Sequence, residues 1–373
     1  MTGTATQPDG SLRLLFWEST ARCNLACIHC RRLDAVSSDD LTVSEFKAVL
    51  ASAATLGNPI VVFSGGEPLL RDDWEELAAC AASLGLPTAM ATNGTLIDEP
   101  TARRIAGAGF RRVAVSLDGA DAATHDGFRA VPGAFAKAMA GIAHLRAAGV
   151  LVQVNATIAA HNAHQLDGLH DLAVRLGAAA LHLFLLVPVG CGVQIAETHQ
   201  LTPARYEQVL AWVCDRIAAS PRGDGAVSHG PEARAAMELR ATCAPHFHRV
   251  ASARGMPTGG SRGCLCGLSV IFVSHRGDVF PCGYLPVSCG SVRQRPLADI
   301  WRDSPVLGEL RDFTRTGGKC GRCEYRAVCG GCRARAFADT GDYLAEEPAC
   351  MHQPNPRTAN RKSPVEPRQP PCL

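Results

Sequence analysis

Cys23, Cys27 and Cys30 stand in the string Cys-Asn-Leu-Ala-Cys-Ile-His-Cys, with C-x3-C-x2-C spacing. Three thiols this close cannot all pair as disulfides, and they are one short of a closed tetrahedral zinc site. They suit a [4Fe–4S] cluster in which the protein holds three irons and the fourth stays open to a reactant. Three more strings carry polar chemistry. Ser64-Gly65-Gly66-Glu67-Pro68 combines two glycines, which let backbone approach a ligand closely, with carbonyls and a carboxylate suited to an ammonium group. Ala91-Thr92-Asn93-Gly94 and Ser116-Leu117-Asp118-Gly119 add hydroxyl, amide and carboxylate groups. Leu185-Leu186-Val187-Pro188 is an apolar edge suited to a flat purine.

The elements that must position these groups follow from the pattern. Apolar runs of strand length occur at 14–17, 60–63, 88–91, 113–117, 150–154 and 181–187. Between them lie Ala/Leu-rich segments with helical spacing at 43–56, 74–84, 101–108, 134–148 and 166–176. Gly57, Gly85, Gly109, Gly149 and Gly177 stand where helices should end, and Thr42 or Ser44, with Glu45 behind, can cap the first helix. Six strand–helix units imply a parallel sheet with right-handed crossovers, too short for a closed eight-stranded barrel. The polar strings then fall at the carboxyl ends of the strands, where ligands collect in such folds.

Composition narrows the class. The chain has 373 residues, 17 cysteines and a net charge of +2, which gives no support for general nucleic-acid or membrane-surface binding. It holds no run of 18 apolar residues, and residues 1–11 lack a signal-peptide core, so a cytoplasmic protein using cysteines for metal is expected rather than a secreted disulfide scaffold. The later cysteines are Cys264, then Cys282 in Gly277-x4-Cys282, Cys320-Gly-Arg-Cys323, Cys329-Gly-Gly-Cys332 and Cys350. Alone, 320–332 also reads as a zinc ribbon. Cys80 and Cys214 sit in helical patterns and read as small core residues. A helix is expected over 203–219 and short strands over 270–274 and 278–281. The Pro/Arg/Lys-rich stretch after Pro354, with Cys372, reads as a disordered tail.

These motifs together resemble the radical S-adenosylmethionine (SAM) superfamily. The resemblance implies an α/β partial (β/α)6 barrel in which Cys23, Cys27 and Cys30 hold the cluster and its open iron receives SAM. Gly65, Gly66 and Glu67 would receive the SAM amine, with Asn93, Ser116 and Asp118 beside its methionyl or ribose part. The family often has an aromatic residue before the third cysteine, where this chain has His29. The C-terminal cysteines resemble the SPASM extension, which carries one or two auxiliary [4Fe–4S] clusters. Its pattern assigns Cys320, Cys323, Cys329 and Cys350 to one cluster and Cys264, Cys282 and Cys332 to the other, with Cys266 or Cys243 open as a fourth ligand. The implied layout is a flexible N-terminus (1–11), barrel (12–200), helical connection (201–262), SPASM-type domain (263–352) and tail (353–373).

A closer resemblance runs from about Leu14 to Cys350. It is carried by Phe16-Trp17-Glu18, His125-Asp-Gly-Phe-Arg129, Phe184-Leu-Leu-Val-Pro188, Ala241-Thr-Cys-Ala-Pro-His246 and Cys329-Gly-Gly-Cys-Arg-Ala-Arg335. These strings are similar to the SAM-dependent heme synthase family. That family converts two propionates of iron-coproporphyrin III to vinyl groups: a 5′-deoxyadenosyl radical takes a hydrogen atom from each propionate β-carbon, carbon dioxide leaves, and the surplus electron passes to an acceptor such as an auxiliary cluster. Enzymes of heme d1 formation, siroheme decarboxylation and peptide maturation are its relatives, and an electron carrier is the non-enzymatic alternative. The resemblance implies an iron-porphyrin substrate, a low-potential donor such as flavodoxin or ferredoxin, and neither nucleic-acid nor membrane partners. Arg129, Arg249, Arg262, Arg333 and Arg335 are candidate forks for propionates, His246 or His248 candidate ligands of the porphyrin iron, and Tyr284 and Tyr325 candidate relays.

Overall fold

A computed structural model describes residues 10–32, 39–219, 237–257 and 262–355. Most of the expected flexible N-terminus (1–9) and of the tail (356–373) lies outside the described residues. The chain opens with β1 (Leu14–Glu18), α1 (Val43–Ala54), β2 (Ile60–Ser64), α2 (Trp74–Ser83), β3 (Thr88–Thr92), α3 (Glu99–Gly107) and β4 (Arg112–Ser116). It continues with α4 (Ala122–Arg129), α5 (Ala134–Ala147), β5 (Val152–Ile158), α6 (Leu166–Arg175), β6 (Ala180–Leu185), α7 (Ala196–His199), α8 (Pro203–Ala219) and β7 (Glu238–Thr242). The C-terminal part carries α9 (His246–Ala253), β8 (Val270–Val273), β9 (Asp278–Phe280), β10 (Gly290–Ser291), α10 (Leu297–Asp303), α11 (Pro305–Arg311), α12 (Gly318–Arg322) and α13 (Arg333–Thr340).

All ten strands form one sheet in the order β10-β9-β8-β1-β2-β3-β4-β5-β6-β7. From β8 to β7 every pairing is parallel, and β9 and β10 add an antiparallel edge. The parallel run is thus longer than six units. β7 lies inside the segment expected to be a helical connection, and its Glu-Leu-Arg-Ala-Thr reads as polar because only Leu239 is buried. β8 is the short strand expected over 270–274; it pairs with β1 across more than 250 residues, Leu14 opposite Val270, and that partner has no local signal. The pairing joins the C-terminal cysteine region to the barrel through a shared sheet.

The core explains why the strands hold. Trp17 of β1 is fully buried and stacks on Phe46 of α1, with ring centroids 3.4 Å apart, and both meet Phe63 of β2 edge-on. Aromatic pairs of this kind add about 0.5–1.5 kcal/mol each beyond the area they bury. Thr42 caps α1 in a reciprocal box with Glu45: the Glu45 amide donates to the Thr42 hydroxyl, and the Thr42 amide donates to the Glu45 carboxylate. With β1 and β2 fixed, the loops after them are fixed relative to each other. No helix of the described residues is long and apolar enough to cross a membrane.

Candidate active site

The loop after β1 carries Cys23, Cys27 and Cys30, all half-buried. It packs directly on the Ser64–Glu67 turn: Gly66 N donates to Thr20 O at 2.7 Å and Glu67 N to Arg22 O at 2.8 Å. A Cβ at Gly66 would lie 2.1 Å from Arg22 O, and one at Gly65, whose φ is +143°, would lie 2.7 Å from Thr20 O. The two glycines are therefore required by the approach of the turn to the cysteine loop itself, a nearer partner than the ligand expected from sequence.

Glu67 is fully buried. Its Oε1 accepts from Thr92 Oγ1 at 2.7 Å and Leu69 N at 3.3 Å, and its Oε2 accepts from Asn93 N at 2.9 Å. Burial pushes its carboxyl up to about 7 against those hydrogen bonds. Both oxygens are engaged by the protein, so Glu67 positions the end of β3. Asn93 is placed by it, donates to Asn24 Oδ1 at 2.8 Å and stands 4.0 Å from Cys23 Sγ.

Asp118 lies two residues past β4 and is also sealed from solvent. Its Oδ1 accepts from Thr157 N at 2.7 Å, and its Oδ2 faces Arg129 Nε at 2.7 Å and His29 Nε2 at 3.5 Å. Burial raises its carboxyl, but the Arg129 guanidinium first, with the Thr157 amide, outweighs that and holds it below the usual range. Burial pushes His29 down to about 3, so the ring is neutral. It stacks on Phe128 of α4 at 3.9 Å and 5°. Arg129 Nη1 reaches Cys27 Sγ at 3.6 Å. α4, which sequence periodicity did not mark, thus brings Phe128 and Arg129 onto the cysteine loop, and Ile28 N donates to Phe128 O at 3.2 Å. Its signal was the Asp121 cap three residues before Thr124, overlooked within a short polar string. Ser116 ends β4 beside Asn155 and is half-buried.

The later cysteines form two groups. Cys266 and Cys332 are buried in one apolar cluster, with Cys243, Cys264 and Cys282 packed against it. Cys243 enters from the end of β7 with φ +55°, a left-handed backbone that a non-glycine residue adopts at a cost of about 1–2 kcal/mol. Cys320, Cys323, Cys329 and Cys350 form the other: burial raises the thiols of Cys323 and Cys329, and Cys320 and Cys350 are near enough to raise them further. Glu347 bridges the groups, its Oε2 accepting from Cys332 N at 2.7 Å and its own N donating to Cys320 Sγ at 3.3 Å.

Among the described residues, only Cys323, Glu324 and His352 bring three ligand atoms within 4.8 Å of one another. Cys23, Cys27 and Cys30 are three thiol donors on one loop, the donor set of an iron–sulfur cluster with one open iron rather than of a closed four-ligand zinc site.

The side chains expected to meet a substrate are committed elsewhere. Arg129 pairs with Asp118, Arg249 with Glu207, and Arg335 with Glu347 at 3.1 Å. Arg333 donates to the carbonyls of Tyr343 and Ala345 at 3.0 and 2.7 Å, and Arg262 lies over the Phe313 ring at 3.5 Å. His246 is 1% exposed, 3.9 Å from Glu347, and pushed down to about 4 by burial. Arg129, Arg249 and Arg335 are thus paired with acids of the fold, a partnership that a spacing argument cannot see, while Arg262 and Arg333 line a cleft beside Cys264 and Cys266. His248 is half-buried in the same helix, α9.

A small, partly open cleft lies between the cysteine loop and the C-terminal part, lined by Glu18, Arg31, Phe272, Cys282, Tyr284 and Leu285 among others. Neither Arg31 nor Glu18 was expected there. Glu18 ends β1 and is held by His275 Nδ1 at 2.9 Å.

Residues 17–173 match the model of the radical SAM superfamily, and residues 264–333 match that of the SPASM iron–sulfur cluster-binding domain. The chain is 42% identical to the AdoMet-dependent heme synthase of Methanosarcina barkeri over 92% of its own length and 97% of that protein. It is 34% identical to the pre-heme d1 synthase of Dinoroseobacter shibae, over 90% of this chain and 85% of the other. In fold it is similar to Streptococcus suis SuiB bound to precursor peptide SuiA, with a TM-score of 0.72 at 18% identity over 92% of this chain and 76% of that one. The cysteine loop, the Gly-Gly turn packed on it and the near-full-length identity place the chain plainly: it belongs to the radical SAM enzymes with a SPASM domain, in the family of the AdoMet-dependent heme synthases.

Proposed function

We propose that this enzyme converts two propionate side chains of iron-coproporphyrin III to vinyl groups, forming protoheme. The observation that carries the reading is the 42% identity to a heme synthase across nearly both full lengths, joined to a cysteine loop built for an open-iron cluster. Cys23, Cys27 and Cys30 hold that cluster, and Cys264, Cys282, Cys332 and Cys320, Cys323, Cys329, Cys350 hold the auxiliary ones. Bound there, the first cluster and SAM supply a 5′-deoxyadenosyl radical able to take hydrogen from an unactivated carbon.

The chain's own groups do the positioning. The Gly65-Gly66 turn sets the cysteine loop against β2, and Glu67 holds Asn93 beside Cys23. Asp118, Arg129 and neutral His29 form a closed electrostatic wall behind Cys27, which keeps water from the reacting carbon. A low-potential flavodoxin- or ferredoxin-type donor and a reducing cytoplasmic location complete the reading, since unpaired cysteines in this number persist in such a compartment.

Anaerobic incubation with iron-coproporphyrin III, SAM and a reductant, followed by mass analysis, tests this. Two successive losses of the elements of formic acid are expected, with deoxyadenosine formed alongside; the Cys27→Ala variant should form neither. Unchanged porphyrin with the reconstituted wild type, or SAM cleavage by Cys27→Ala, contradicts it.

A further inference from the structure

The cleft between the cysteine loop and the C-terminal part holds an arginine that forms no direct ion pair among the described residues. Arg31 follows Cys30 directly in sequence. Its guanidinium carbon lies 4.3 Å from the centroid of the Phe272 ring, and its Nη2 donates to Ser64 Oγ at 3.3 Å. Gly283 lies alongside both: a Cβ there would sit 3.4 Å from Arg31 Nη1 and 3.5 Å from the Phe272 ring. The guanidinium is thus held against an aromatic face, beside a glycine whose missing side chain keeps the space clear.

Among the described residues no carboxylate lies within ion-pair distance of Arg31. Glu18 lines the same cleft, near enough for the Arg31 charge to help lower its carboxyl but not to pair with it, and its Oε2 is held by His275. This sets Arg31 apart from Arg129, Arg249 and Arg335, each neutralised by an acid of the fold. The rest of the lining is largely apolar: Val189, Phe280, Tyr284, Leu285 and Pro286, with Cys282 at the edge. An apolar wall with one oriented guanidinium is the chemistry that recognises a flat apolar ligand bearing a carboxylate.

We propose that Arg31 is the residue that anchors a propionate carboxylate of the tetrapyrrole, seating one pyrrole edge in this cleft between the cysteine loop and Cys282. The assignment rests on the porphyrin reading above and names the group that selects the substrate. Arg31 makes and breaks no bond. It orients the macrocycle so that a neighbouring propionate faces the site behind Cys30.

Optical titration of reconstituted protein with two probes tests it: iron-coproporphyrin III, which carries four carboxylates, and its neutral tetra-N-methylamide. Wild type should prefer the acid. Arg31→Gln should lose about tenfold to a hundredfold in affinity for the acid, which removes most of the preference over the amide. Arg31→Lys should recover part of it, because the charge returns without the fork. Equal acid affinity in wild type and Arg31→Gln overturns the role of Arg31. So does an equal loss for both probes, the mark of a structural effect. Wild-type protein that binds neither probe overturns the porphyrin reading, and this assignment with it.

Discussion

Gly66 is the residue on which the geometry of the first cysteine loop turns. A methyl group there cannot be absorbed by a flexible neighbour, because the atoms it meets are the Arg22 carbonyl and its carbon. Gly66→Ala should therefore displace Cys23 and lower the iron and sulfide content by about one cluster's worth, while the auxiliary share remains. Glu67 makes a second prediction, in pH. Its folded-state value, about 7, is above the ordinary 4.5, so the folded chain holds that proton more tightly than the unfolded chain does. Its contribution to stability is full below pH 4.5 and is lost as pH rises through 7. Wild type should lose on the order of 2 kcal/mol relative to Glu67→Gln between pH 5 and 8, read by denaturant unfolding at each pH. The residue types at both positions were legible in the sequence. Their partners were not: the glycines face Arg22 and Thr20, and the carboxylate faces Thr92 and Asn93, because packing between successive loops leaves no periodic trace.

Among the elements, α13 shows how a short helix joins the two later cysteine groups. Its Arg335 is 1% exposed and pairs with Glu347, while Arg335 Nη2 donates to Cys243 O at 2.9 Å. One ion pair thus ties the end of β7, α13 and the Cys350 segment together. Removing one partner strands a buried charge. Arg335→Leu should cost roughly 3–5 kcal/mol in unfolding free energy and reduce auxiliary iron. The strands and helices around the barrel could be read from period and cap: α1, α5, α6 and α8 begin where the apolar pattern places them. α4 and β7 could not: α4 is short and polar on its outer face, and β7 buries one side chain. β8 could be read as a short apolar strand, but not its partner at the far end of the chain.

For the whole molecule, the shared sheet is the central device. Because β8 lies against β1, the strand that launches the first cysteine loop also supports the strand that leads to Cys282. The cleft between them is lined by residues of both regions, and it is the place proposed above for the macrocycle. The central claim is that a propionate β-carbon gives its hydrogen to SAM-derived deoxyadenosine at this place. Iron-coproporphyrin III deuterated at the propionate β-carbons, turned over anaerobically with unlabelled SAM, tests it most directly by mass analysis of the deoxyadenosine. The account predicts one deuterium recovered in deoxyadenosine for each vinyl group formed. Vinyl formation with deoxyadenosine free of deuterium would contradict it.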